Sequence, residues 1–262
     1  MLWRNSWVFG TTLRDLLGLA ASTLASTRSS LESWATGELD GTINLLQTGA
    51  TRRMLPAAYP ADLNAWYCPG AFDVASGTWH DCSGNGNTAT LSGSGLAEWR
   101  GAGHGATNEV HALTGTTSSV ISFGAVIQSA FTVCSVTRYT GGTKRRILQG
   151  GGKNWLHGHW SGRAGVAYYE GWKSALQDNV SPDTDWVVMC GTNAESQLKL
   201  VNGADVGSAA GGSGDVSLFV NAGNHANEAS NFAIVEVVVW PRGLTAEEMR
   251  GASEFIISRM GL

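Results

Sequence analysis

The feature that most limits this chain is a succession of short β-branched and aromatic runs, broken by glycine- and asparagine-rich turns, with no helical pattern interleaved. It starts near Leu63 and continues almost to the C-terminus. Residues 119–123, 131–139, 144–149, 165–170, 186–191, 216–221 and 232–240 have the length and composition of strands. The 35 glycines suit tight turns that need positive φ, and prolines number only 5. Asn202-Gly203, set between 197–201 and 204–206, is the strongest hairpin signal, because a type I′ turn needs positive φ at both central positions. The run 232–240 is apolar except for Glu236, as expected of a strand covered on both faces. Many strands without alternating helices predict an all-β sandwich and exclude an α/β fold.

The two ends differ from this middle. At the C-terminus, Thr245 and Glu248 form a T-x-x-E capping box, and Leu244 is placed to staple against Met249. Met249, Ala252, Ile256 and Met260 then recur at helical spacing, which predicts a short helix packed on the sandwich. At the N-terminus, Leu13, Leu17, Ala20, Leu24, Thr27, Leu31 and Trp34 follow a 4-3 spacing. That is the seam of a coiled coil, although Leu16 and Leu19 widen the apolar face and equally suit a helix on its own domain. The expected organisation is a docking peptide and helix over residues 1–37, a connector over 38–60 and the sandwich over 61–262. Self-association or docking to a larger assembly is expected through residues 1–35.

Composition removes several classes. The net charge is −4 and the longest basic run is Lys144-Arg145-Arg146, so no nucleic-acid partner is expected. No apolar run reaches the length of a membrane span. Arg14 and Asp15 interrupt the N-terminal apolar stretch, which argues against a cleaved signal peptide. Cys68, Cys82, Cys134 and Cys190 lack zinc-ligand spacing. Cys134 and Cys190 sit in strand-like runs and are expected as reduced, buried thiols. Cys68 and Cys82 flank one loop and leave a bridge open, the reduced state being the expectation there too.

Three stretches resemble the laminin G/concanavalin A-like lectin family. The first, Trp79-His80-Asp81-Cys82-Ser83-Gly84-Asn85-Gly86-Asn87, is similar to the family's early W-x-D-x-S-G-N-G-N turn. The second, 186–206, resembles its strand and V-N-G hairpin. The third, 234–248, is similar to its closing strand-to-helix corner. Arg138-Tyr139-Thr140-Gly141-Gly142 with Asn154-Trp155-Leu156-His157-Gly158-His159-Trp160 also resembles lectin-like proteins of marine microalgae and the viruses that infect them. The resemblance implies a concanavalin A-like jelly-roll sandwich, glycan recognition, and calcium at the sandwich rim. Asp81, Asn85 and Asn87 would be the calcium ligands, and they serve equally as turn formers. No other cofactor is expected.

Sugar recognition asks for aromatic platforms beside hydrogen-bonding side chains. Asn154, Trp155, His157, His159, Trp160, Arg163, Tyr169 and Trp172 have that composition, as do Tyr168 and Glu170 among them. The bland alternative places the tryptophans in the core. Catalysis is not expected. The only approach to a glucanase-type E-x-D-x-x-E strand is Glu38-Leu39-Asp40-Gly41-Thr42-Ile43, which ends in Ile43 and lies in the connector. Inside the domain Asp81, Glu98, Glu109, Glu170 and Glu236 are scattered singly. The expected function is a non-catalytic recognition or adhesion protein at a particle surface or outside a cell. A structural component of a virion or similar assembly is the first alternative, and a glycoside hydrolase the second.

Overall fold

The computed structural model describes residues 55–262. The docking peptide, the heptad seam and the connector up to residue 54 lie outside the described residues. Sixteen strands and one α-helix follow. The first six are β1 (Ala65–Tyr67), β2 (Phe72–Asp73), β3 (Thr78–Trp79), β4 (Ala89–Gly93), β5 (Ala97–Gly103) and β6 (Ala106–Gly115). Next come β7 (Ser119–Ile127), β8 (Thr132–Tyr139), β9 (Leu148–Gly151), β10 (Trp155–Trp160) and β11 (Arg163–Tyr169). The set ends with β12 (Val187–Thr192), β13 (Lys199–Val201), β14 (Ala204–Asp205), β15 (Val216–Val220), β16 (Phe232–Trp240) and α1 (Ala246–Met260).

These strands make two antiparallel sheets of eight. The first runs β14-β13-β12-β8-β16-β6-β5, with β1 beside β16; the second runs β11-β10-β9-β15-β7-β4-β3-β2. The all-β sandwich with a C-terminal helix is therefore what the chain forms. The run expected over 144–149 becomes strand only from Leu148, and β5 and β6 were not legible as strands. The hairpin at Asn202-Gly203 forms as its residues require, with φ of 45° and 84°.

Between the sheets lies one apolar layer that includes Tyr67, Trp79, Phe131, Leu148, Trp155, Tyr169, Leu218, Phe232 and Ile234. A second layer covers the outer face of the first sheet, where Met249, Ala252, Ile256 and Met260 of α1 meet Trp66, Val188, Val238 and Trp240. This second layer explains why every residue of β8, β12 and β16 is buried. Burying each large side chain of the helix stripe contributes about 1.5–3 kcal/mol. The capping box forms in full, and Gly261 closes the helix in the left-handed region.

Within β16 the register slips between Ile234 and Glu236. Phe232, Ile234, Val237 and Val239 face the inter-sheet layer, and Val235 faces outward. The bulge lets the next residue, Glu236, also face outward. There its fully buried carboxylate accepts from Trp66 Nε1 at 2.6 Å and from the Tyr59 hydroxyl at 3.2 Å, and pairs with the Arg259 guanidinium of α1. Tyr59, which the sequence places in the connector, is thus part of the packed domain.

Both expectations of reduced cysteines are overturned. Cys68 is bonded to Cys82, and Cys134 to Cys190. Cys134 and Cys190 stand directly opposite each other across β8 and β12, which brings their side chains together on the outer face of the first sheet. Strand pairing 56 residues apart in sequence creates this contact, so neither local run announces it.

Candidate functional site

The stretch singled out for sugar binding becomes the β10–β11 hairpin, and strand alternation divides it between two faces. Trp155 stands opposite Tyr169, and both are fully buried in the inter-sheet layer, stacked at 4.9 Å. His157 lies beside them, with Nδ1 2.8 Å from the Tyr169 hydroxyl and Nε2 3.1 Å from the Met189 carbonyl. Gly191 on β12 is small by necessity, because any side chain there would collide with that hydroxyl. His159 is also fully buried, 3.3 Å from the Thr137 hydroxyl. Burial pushes the His157 pKa down to about 4. Burial, with His157 nearby, pushes that of His159 down to about 3. Trp155, His157, His159 and Tyr169 therefore build the interior and present no surface to a ligand.

The other half of the stretch faces outward. Tyr168 and Trp172 make edge contact at 5.1 Å, Trp172 and Trp160 at 5.3 Å, and the Arg163 guanidinium lies 5.5 Å over the Trp160 ring. All four side chains are partly exposed. The hairpin register fixes this set, because Trp160 pairs with Arg163 and Leu156 with Tyr168 on the face opposite the core. Asn154 stands at the other end of β10 from Trp160, beside Glu170. Its Oδ1 accepts from Arg146 at 2.8 Å, and its backbone N–H donates to Glu170 at 2.6 Å.

Three residues of this face were missed in the sequence. Glu228, on a single 3₁₀ turn (Ala226–Glu228), accepts from Arg146 Nε at 2.6 Å and from Trp160 Nε1 at 3.2 Å. It ties the aromatic group to the charged one. Arg146 is nearly buried at 5% exposure, although it sits in the longest basic run of the chain. Gln149 is the third. It pairs with Leu156 and Phe219 across the strands, which places it on this outer face, fully buried. Neither atom of its amide has a hydrogen-bond partner among the described residues. No local sequence signal marks Glu228 or Gln149, because each joins this face through partners distant in sequence, Glu228 through Arg146 and Trp160 and Gln149 through Phe219.

The calcium expectation fares differently. Asp81 Oδ1 accepts from the Trp66 and Ser83 backbone at 2.9 Å each, and Oδ2 from Asn87 N at 3.0 Å. The Asn85 amide donates to the Leu63 and Asn64 carbonyls, and that of Asn87 to Asn64. These bonds tie the loop to the segment leading into β1, as turn formers do, and they use the Asn85 and Asn87 side chains through Nδ2. Among the described residues no cluster of three His, Cys, Asp or Glu side chains has metal-site geometry.

No family model matches the chain. No curated protein matches it by sequence. Among solved structures, one shares the fold and others are more loosely similar. Domain 4 of AbnA, a GH43 extracellular arabinanase from Geobacillus stearothermophilus, solved in complex with arabinotriose, superposes with a TM-score of 0.53 at 14% identity. The match covers 73% of this chain and 98% of that one. The binding domain of Paraclostridial Mosquitocidal Protein 1 gives 0.49 at 12% identity, covering 74% of this chain and 53% of that one. Trypanosoma rangeli sialidase with the inhibitor DANA gives 0.48 at 14% identity, covering 88% of this chain but 38% of that one. At 14% identity the likeness to the arabinanase domain is one of fold alone. Among the described residues no helix is long and apolar enough to cross a membrane.

Proposed function

We propose that this chain is a non-catalytic, lectin-like recognition protein of the laminin G/concanavalin A-like type, and that the outer face of its second sheet takes a glycan. One observation carries the reading: Trp160, Trp172 and Tyr168 form a partly exposed aromatic group directly joined, through Glu228, to the Arg146–Asn154 pair. Pyranose and furanose rings present apolar C–H faces ringed by hydroxyls, and such a surface matches both parts. Binding without cleavage is favoured because the Glu228 carboxylate is held by Arg146 and Trp160, leaving it poorly placed as a free acid or base.

The test is a glycan array carrying arabino-, sialyl- and neutral oligosaccharides, probed with the full chain. Signal lost in Trp160→Ala and Trp172→Ala but kept in Arg250→Ala is the expected result. Absence of any glycan signal, or a signal indifferent to both tryptophans, overturns the reading. Release of reducing ends that disappears in Glu228→Gln would make the protein a hydrolase instead.

A further inference from the structure

Open sheet edges attract other strands, and folded proteins generally shorten, cover or charge them. Most edges here are protected. β14 and β2 are two residues long. β11 is overlaid by the following loop, where Lys173 N donates to Ala167 O and Asn179 N to Ala164 O, both at 2.9 Å. β1 is three residues long, and its other side is tied to the 81–82 turn by Cys82 N donating to Trp66 O at 2.7 Å. β5 is the exception. It has seven residues, none of them buried, and none of its backbone groups bonds outside the β5–β6 pair among the described residues.

We propose that β5 is a self-pairing seam, through which two copies of this chain join antiparallel about a twofold axis at Trp99. The sequence of the strand carries the choice of occupant. In a pair centred on Trp99, Glu98 stands opposite Arg100 of the partner subunit, and the twofold repeats that ion pair. The two Trp99 rings face each other on the axis, and Ala97 meets Gly101 of the partner subunit. A centre shifted by one residue sets Glu98 against Glu98 of the partner subunit or Arg100 against Arg100 of the partner subunit. The bulge between Gly101 and Gly103 ends the regular stretch, so the straight segment is 97–101, and Trp99 is its midpoint.

The components are ready for this. Trp99 is partly exposed, yet held on its inner side by Trp186 at 6.1 Å and by the Arg138 guanidinium at 5.7 Å. Arg100 is exposed and makes no ion pair among the described residues, and the half-exposed Glu98 meets only His111, at 3.1 Å. The edge carries no proline, and its two charges, Glu98 and Arg100, are of opposite sign, so they turn away other strands while a second copy in this register pairs them.

Sedimentation of the full chain over a concentration series tests the seam through charge reversal. Wild type sediments as a concentration-dependent monomer–dimer equilibrium. Glu98→Arg and Arg100→Glu each place like charges opposite one another twice and weaken the dimer roughly tenfold or more. The double reversal, E98R with R100E, restores it. Circular dichroism confirms that each variant is folded. A wild type that stays monomeric, self-association indifferent to both single reversals, or a double reversal no better than either single overturns the proposal.

Discussion

Replacing Glu236 by leucine tests the outward-facing carboxylate of β16 most directly. Its side chain is fully buried and takes hydrogen bonds from Trp66 and Tyr59 as well as the Arg259 ion pair. Leucine leaves the Trp66 indole N–H without an acceptor, at about 1–3 kcal/mol for an orphaned buried donor. The Tyr59 hydroxyl loses its partner too. The Arg259 side chain is 31% exposed, so its unpaired charge is partly relieved by water and adds only about 1 kcal/mol. The total is about 3–5 kcal/mol, in the range expected when one member of a buried pair is removed. For a domain of this size that lowers Tm by roughly 6–20 °C. Urea unfolding of wild type, Glu236→Leu, Arg259→Met and the double variant reads this as a cycle. The double variant should be less destabilised than the two singles summed, because no buried charge is left without a partner. A loss below about 1 kcal/mol for Glu236→Leu, or strict additivity, would refute the reasoning.

Further predictions follow from the same interior. Removing Cys134–Cys190, which closes a loop of 56-residue separation, should cost about 4 kcal/mol by chain entropy, against about 3 kcal/mol for Cys68–Cys82 at 14; urea midpoints of the paired Cys→Ala variants check the order. His157 and His159 are held neutral, with pKa values of about 4 and about 3, whereas the unfolded chain protonates both near about 6.5. Their contribution is therefore complete above about pH 6.5 and is lost as pH falls toward those values, at up to about 2.7 kcal/mol per unit for two protons. Denaturant midpoints that stay level from neutral pH to about pH 5, or that fall as steeply in a His157→Gln/His159→Gln variant, contradict this. Gln149→Met should leave stability unchanged or raised, because it removes an unpartnered buried amide; the urea midpoint of the variant against wild type checks this.

Local pattern in the chain was enough for the elements whose cause is local. The Asn202-Gly203 turn, the Thr245–Glu248 cap and the α1 stripe each rest on residues within a few positions of one another, and all three form as read. The full burial of 232–240 was legible as well, because a strand covered on both faces must be apolar on both. Pairing was another matter. Trp155 and Trp160 lie five positions apart in one aromatic-rich run, and composition alone cannot say which enters the core. The β10–β11 register, with its shift between Gly158 and His159, made that division. The Cys134–Cys190 bond, the joining of Arg146 to Glu228, and the turn of Glu236 toward Arg259 share this origin. Each is a contact between elements distant in sequence. One residue of slip reverses every side chain beyond it, and the energy that selects the register is spread over the whole sheet. The sequence by itself therefore determined a two-sheet sandwich closed by a capped helix. Which aromatic groups face water, which cysteines meet and which strand edge stays open were decided only by tertiary pairing.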